Sequence, residues 1–483
     1  MGETLQRCQR LVKSNEAPGS AEIAFIRAVV SDTGARLGYL DAEISRLRDR
    51  LEQLTSERTQ LSEYHSQYVP ILSPLRRLPT EVLAEIFLRT LPSFHERSGD
   101  ISDTQRSPWT VCQVSRRWRG IALSTPSLWT TVHIDFVHDE HQAHSDVEIQ
   151  LQRSRTLNLE VHFFGRDEAD PAEQLELFDL LSRHSARWET LNIQLSSALV
   201  PRLAQLRGRL PSLRRLWLQW DSEQMDAGVN SESRFVPILV PAHQLTTYRL
   251  HGPLKMHLHV LKLAPNIVEA RIVTAFDEEP WPEPGPQTIE LLHLQRLHVS
   301  DEGLLDYLRA PHLAEIGVEL TMTNEYSTLV HRLGALFLRS TCAPEKLLLK
   351  AISSSASTSD ILKKCPFITT IALTFFKDGT DAMEAHLTML SDVSKSPHLR
   401  EICFGALESM PIDYPLFLRM LKSRRESCLG AASFFAVEGP DPDPVTLAGL
   451  EELRDSGLDL RVDSGLEAQR EIDAWDNDCL WNQ

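Results

Sequence analysis

The chain has 483 residues and a formal net charge of −17, from 50 Lys and Arg against 67 Asp and Glu. That length exceeds one small core and predicts two or more domains or a repeat array. The acidic balance argues against nucleic acid as a partner, because phosphate binding needs clustered cations. The seven cysteines are scattered, odd in number and never in a C-x-x-C pair, which suits a reducing compartment and argues against disulfides or a cysteine–zinc site. No secretory h-region and no apolar run of transmembrane length is present. The expectation is an intracellular protein, cytoplasmic or nuclear, with no membrane partner.

From Ile23 a heptad runs unbroken to Tyr68. Its a positions are Ile23, Val30, Leu37, Ile44, Leu51, Arg58 and His65, and its d positions are Ile26, Thr33, Leu40, Leu47, Leu54, Leu61 and Tyr68. Sustained 4-3 spacing with charged flanks predicts a coiled-coil helix over residues 20–69, with a seam of Leu37, Leu40, Ile44, Leu47, Leu51 and Leu54. In a parallel dimer the facing g–e pairs are Glu22–Arg27, Arg36–Asp41 and Glu43–Arg48, all opposite in sign. That favours a parallel homodimer. The alternative is one long amphipathic helix packing back on the rest of the chain. Gly34 and Gly38 each weaken the helix by roughly 1 kcal/mol relative to Ala.

Pro70 and Pro74 then end the helix, because a residue preceding proline is pushed out of the α region. The next stretch, LRRLPTEVLAEIFLRTLP from Leu75, is too apolar for a surface helix: Leu78, Val82, Leu83, Ile86, Phe87 and Leu91 spread over more than half its circumference. A polar insert from Ser93 to Ser107 follows, then WTVCQVSRRWRGIALSTPSLWTTV.

This segment resembles an F-box. Leu78, Pro79 and Glu81 match the family's opening, and Val82, Leu83, Ile86 and Phe87 its first helix. Val111, Val114, Arg116, Arg117 and Trp118 match a second helix ending in a basic-basic-Trp group, and Leu128 and Trp129 the close. Cys112 and Ser115 stand in the reverse of the family's usual order, and the insert is longer than usual. The resemblance implies a three-helix module over 72–131 that docks on the small S-phase-kinase-associated adaptor of SCF (cullin) ubiquitin ligases. The docking residues would be Leu78, Pro79, Val82, Leu83, Ile86, Phe87, Val111, Val114, Trp118, Leu128 and Trp129.

Beyond Trp129 an apolar-x-x-apolar-x-apolar phrase recurs, as in LPSLRRLWL, APNIVEARI, APHLAEIGV, CPFITTIAL and SPHLREICF. Its central residues are Leu191, Leu216, Tyr248, Ala270, Leu297, Ile316, Leu347, Ile371 and Ile402, with a mean spacing of roughly 26, inside the leucine-rich-repeat range. Strand plus helix at that period predicts an irregular α/β solenoid with a parallel sheet over 132–465, and residues 466–483 form an acidic tail. An ordinary α/β domain is the alternative. On the concave surface the alternate strand residues Arg215, Trp217, Gln219, Arg249, Arg296 and His298 are candidates for holding a protein client.

No Gly-rich phosphate loop, G-x-S-x-G elbow or H-E-x-x-H appears, so no enzyme and no cofactor is predicted. The one cluster with metal-like spacing is His133, His138, His141 and His144 with Asp139 and Glu140, which reads as a polar connector and not a metal site. DEEPWPEPGP, EGPDPDP and SSSASTSD read as surface loops. The order of long helix, box and irregular repeat resembles fungal F-box proteins, and implies a non-enzymatic substrate adaptor. The alternative is a ligase-independent scaffold built on the coiled coil and solenoid.

Overall fold

The heptad segment folds as one helix, α1 (Ser20–Tyr68), of 49 residues with none buried. The Glu22 carboxylate accepts the Gly19 backbone N–H at 2.8 Å and so closes the first turn. Leu37, Leu40, Ile44, Leu47, Leu51 and Leu54 are all exposed. A 3-10 turn at Val69–Leu72 and another at Pro74–Arg76 end it, with Pro74 supplying the fixed φ of a first helical position.

The computed structural model describes residues 6–7, 10–91, 107–136, 144–220, 242–252, 254–274, 288–319, 326–351, 354–376, 379–425 and 427–477. The chain divides into two units, Met1–Glu85 and Ile86–Gln483. Helix α2 (Thr80–Arg89) runs across that division, and α3 (Val111–Val114) and α4 (Arg116–Ser124) belong to the second unit.

The rest of the second unit is an α/β solenoid. Among the described residues its sheet has 13 strands, all parallel, and their order across the sheet is their order along the chain. They are β1 (Thr131–Asp135), β2 (Leu159–Phe164), β3 (Trp188–Leu195), β4 (Arg215–Trp220), β5 (Thr247–Gly252), β6 (Glu269–Thr274), β7 (Arg296–Val299), β8 (Glu315–Glu319), β9 (Lys346–Lys350), β10 (Thr370–Phe375), β11 (Glu401–Ala406), β12 (Ala431–Ala436) and β13 (Asp459–Ser464). The crossovers carry α5 (His144–Arg153), α6 (Pro171–Ser182), α7 (Leu254–Leu263), α8 (Tyr326–Ser340), α9 (Ser355–Lys364), α10 (Thr380–Leu390), α11 (Tyr414–Ser423) and α12 (Pro444–Asp455). Others use 3-10 turns, at Val200–Leu206 and Glu302–Tyr307, so the coil is irregular.

The nine central residues of the repeated phrase lie side by side. Leu191, Leu216, Tyr248, Ala270, Leu297, Ile316, Leu347, Ile371 and Ile402 pair in one continuous register across β3 to β11. Val132 and Val161 extend the row at one end, Ala432 and Leu460 at the other. Those four strands lie outside the nine phrases, although Pro126, Ser127 and Leu128 precede β1 just as Pro211, Ser212 and Leu213 precede β4. The row is buried in the main core, between the sheet and the crossover helices. Strand period 2 sends the alternate residues to the other, open face.

One segment expected as a surface loop is largely helical, and another is a loop that ends in a helix cap. In SSSASTSD the Ser354 hydroxyl accepts the Ser357 N–H at 3.3 Å and starts α9. In EGPDPDP the Asp443 carboxylate accepts from the Val445 and Thr446 N–H groups and starts α12. Both are the N-cap use of short polar side chains. DEEPWPEPGP lies outside the described residues.

The chain from residue 466, expected as an acidic tail, is helical to Asn477 as α13 (Gly465–Asn477). Ala468 and Ile472, four apart and hence on one helical face, are buried with Leu348, Ala372, Cys403 and Phe435. Those four occupy the open face of β9 to β12, so α13 lies on the side opposite the crossover helices. This explains why β10 is buried at every position.

The main core holds a neutral imidazole. His257 Nε2 donates to the Gly252 carbonyl at 2.9 Å, and Nδ1 accepts from the Tyr248 hydroxyl at 3.0 Å. Burial lowers its pKa to about 4. The unfolded chain then binds the extra proton, so this contribution is complete above about pH 6.5 and is lost as pH falls toward 4. The loss is about 3 kcal/mol over that window. Urea unfolding at pH 7 and pH 4 should show it, and His257→Gln should flatten the dependence.

Candidate protein-binding sites

Helix α2 sorts its apolar excess into two faces. Leu83 and Phe87, four residues apart, are both 0% exposed, whereas Val82 and Ile86, also four apart, are 43% and 38% exposed. Residues i and i+4 share a helix face, so one apolar pair is inward and the adjoining one is open to solvent. Leu78 is half-buried and Pro79 exposed, the Pro79 carbonyl accepting the Leu83 N–H at 3.1 Å.

In the second unit the Phe87 ring lies 4.8 Å from that of Trp118, which is half-buried. Arg116, Arg117 and Trp118 do not end a second helix, as the family pattern implied; they begin a third. Ser115 is extended (φ −160°, ψ 163°) and breaks the chain, and its hydroxyl then accepts the Trp118 N–H at 3.1 Å as an N-cap. The serine that departs from the usual order is thus the residue that separates α3 from α4. Arg119 Nε donates to the Cys112 carbonyl at 2.8 Å and ties the two together. Burial pushes the Cys112 thiol up, against the pull of Arg153 and Arg119, so it packs as a neutral group.

The closing Leu128 and Trp129 are interior. The Trp129 indole donates to the Ala122 carbonyl at 2.9 Å, its ring meets Trp109 edge-on at 5.0 Å, and the Arg153 guanidinium lies 4.3 Å over it. Trp109 and Arg153 were not singled out in the sequence; the only signal was an aromatic opening WTVCQV. Leu83, Phe87, Val111, Leu128 and Trp129, expected as docking residues, are therefore all buried, and they shape any docking surface from within. Val82, Ile86 and Val114 are the exposed apolar members of the expected set.

On the open face of the solenoid the register sets a second row: His133, His162, Asn192, Trp217, Arg249, Arg271, His298, Gly317, Leu348, Ala372, Cys403, Ser433 and Arg461. The row changes character along the sheet. It is polar up to His298, and small or apolar from Gly317 to Cys403, where α13 begins to cover it.

The client candidates all point to this face, with one correction. Arg215 is exposed, and Trp217, Gln219, Arg249 and Arg296 are half-buried, but His298 is buried and offers no surface. Its ring lies against Gly317 on the next strand; a Cβ there would stand 3.1 Å from the imidazole. Burial, with Arg271, Lys350 and Arg249 nearby, holds His298 neutral, well below the usual range. Leu348, its neighbour two strands on, is likewise buried, beneath α13.

Beside this row runs a ladder of ion pairs. Arg249 reaches Glu269 at 2.9 Å, Arg296 approaches Glu269 and Glu315 at 3.8 and 3.7 Å, and Lys346 meets Glu315 at 3.5 Å. Burial raises the Glu315 pKa. Among the described residues no group of three or more His, Cys, Asp or Glu could hold a metal ion. His133 stands on β1 and His144 opens α5, while His138, Asp139, Glu140 and His141 lie outside the described residues. No described helix is long and apolar enough to cross a membrane.

The chain thus presents two distinct surfaces, a helical box with exposed apolar side chains and a long parallel sheet whose open face is lined by charged and aromatic groups. The family comparison agrees in kind: residues 75–135 match the model described as F-box-like. Such domains occur generally in adaptors and not in enzymes. No curated protein matches the chain.

Proposed function

We infer that this chain is the substrate-recognition subunit of an SCF-type ubiquitin ligase. The box docks on the S-phase-kinase-associated adaptor and through it on the cullin ligase, the solenoid holds a protein client, and α1 pairs two copies in parallel. The observation that carries this reading is the exposure of Val82 and Ile86 on one face of α2. Leaving two β-branched side chains partly in water on a ten-residue helix has no folding benefit, while covering the remainder of each contributes roughly 1 kcal/mol.

Co-purification of the full chain with the adaptor tests it. A Val82→Asp, Ile86→Asp double variant should lose adaptor binding by 100-fold or more, about 3 kcal/mol. Its unfolding midpoint should stay near that of the wild type, since exposed substitutions are usually within about 0.5 kcal/mol each. A wild-type chain that fails to bind the adaptor, or a double variant that binds it equally well, sinks the reading. The burial of Leu128 and Trp129 under Arg153 supports the second reading, in which the box is internal packing of a ligase-independent scaffold. The same experiment separates the two.

A further inference from the structure

The open face is not electrically uniform. From β4 to β9 its outward positions carry six cations, Arg215, Arg249, Arg271, Arg296, Lys346 and Lys350, against three carboxylates, Glu269, Glu315 and Glu319. The surplus of three positive charges stands in a chain whose net charge is −17. The carboxylates are already engaged: Glu269 and Glu315 each bridge cations on neighbouring strands, and Lys350 meets Glu319 at 3.5 Å. An anion arriving here meets a net positive field and acidic groups whose own charge is compensated. The buried His298, held neutral in part by three of these cations, registers the same field.

Trp217 adds an aromatic anchor at one end of the stretch. Its ring is half-buried, with the Arg249 guanidinium 6.0 Å from its centroid. Tryptophan and arginine together are the side chains that most often dominate binding energy.

At the other end the sheet already shows what it accepts. Helix α13 carries Glu467, Glu471, Asp473 and Asp476 against Arg470 alone. It docks on the open face by two apolar residues, Ala468 and Ile472, and by an ion pair in which Glu471 lies 2.6 Å from Arg461. Arg461 in turn sits 5.3 Å over the Phe435 ring. An acidic segment held by apolar contact plus a sheet-borne arginine is thus a mode this face already uses, adjoining the cationic stretch at β9.

We propose that the open face of β4 to β9 is the docking surface for an acidic segment of a partner protein, with an apolar or aromatic side chain of that segment seated on Trp217. A nucleic acid fits less well, because Glu269 and Glu315 interrupt the cations that a continuous run of phosphates would need. This deepens the client-holding role of the solenoid and rests on it. The peptide assay below contains no adaptor, so its failure leaves box docking standing, and a failure of box docking leaves the assay informative.

The probe is a fluorescent 15-residue peptide, seven Glu, one Trp and seven Glu, titrated with the full chain and read by anisotropy. The expected result is saturable binding that weakens with added salt and is absent for the matching Lys–Trp–Lys peptide. Arg215→Glu, a change at an exposed position, should weaken binding about tenfold, and combining it with Lys346→Gln should weaken it further. Trp217→Ala should weaken the Trp-containing peptide but leave an all-Glu peptide unchanged. No binding by the acidic peptide, equal binding by the Arg215→Glu chain, or tighter binding of a 15-nucleotide oligo-dT would each overturn the proposal. Circular dichroism of each variant checks that it is folded. Because Arg215 is exposed and its guanidinium donates sideways to the Thr190 hydroxyl at 2.9 Å, its variant keeps the test decisive.

Discussion

Replacing Leu47 and Leu54 by lysine in the full chain should halve its mass in sedimentation equilibrium. Both residues are d positions of α1 and both are well exposed in the single chain, at 59% and 46%. Two chains paired in parallel would bury four such side chains, at roughly 1.5 kcal/mol or more each. Their loss removes about 6 kcal/mol, some four decades in dissociation constant, before the desolvation of four ammonium groups is added. The flanking g–e pairs are individually weak and could not compensate. Leu47→Met, Leu54→Met, which keeps apolar side chains without β-branching at d, should keep the mass of the wild type. If the wild-type chain already sediments as a monomer, or the lysine variant does not change mass, the parallel pair is wrong and the exposed seam has another partner.

Phe404→Ala should be the most damaging single substitution in the solenoid. Its ring is fully buried and stacked between Phe375 at 6.1 Å and Phe434 at 5.9 Å, with interplanar angles of 12° and 11°. Phe417 from α11 closes on it edge-first at 6.1 Å. Deleting a buried Phe costs about 3–5 kcal/mol, and each lost ring pair adds roughly 0.5–1.5 kcal/mol. In a stack where each unit touches only its neighbours, the loss falls on the coupling between β10, β11 and β12. Denaturant unfolding should therefore shift from one transition to two, with the C-terminal strands released first. Phe404→Leu should restore much of the midpoint. A single transition with a midpoint within about 0.1 M denaturant of the wild type for Phe404→Ala would show that the ring ladder carries no weight.

How far the sequence spoke depended on the kind of signal. The repeated phrase located nine strands to the residue, because an inward row of Leu, Ile, Tyr and Ala must recur once per turn of the coil. It did not mark β1, β2, β12 and β13; in β2 and β13, Asn158 and Gly457 stand where the phrase has its first apolar residue. The box was legible as composition, yet the division of α2 into a buried Leu83–Phe87 face and an open Val82–Ile86 face was not. Periodicity reports how wide an apolar stripe is, not which edge of it a neighbour covers. The break at Ser115 was hidden for a similar reason: a lone serine between two helical patterns looks like an interior residue until its hydroxyl is seen capping Trp118.

The C-terminal helix was the largest surprise. The excess of acidic over basic residues predicts a tail over 466–483, and the part of it to Asn477 is helix. Among the described residues its apolar contacts are Ala468 and Ile472, two side chains within a strongly charged stretch, and their partners lie more than thirty residues away on other strands. A local window contains no trace of that pairing. His298 failed differently: alternation placed it on the correct face, but the missing side chain at Gly317 let its ring lie down out of water.

Because the strand order across the sheet is the strand order along the chain, the solenoid can change length without being re-threaded. Duplicating or losing one strand–crossover unit leaves every other register pair as it was, and alters only the distance between the box at one end and α13 at the other. In this fold the spacing between the first strand and the last is an inheritable variable set by counting, adjustable in steps of one strand separation, about 4.8 Å.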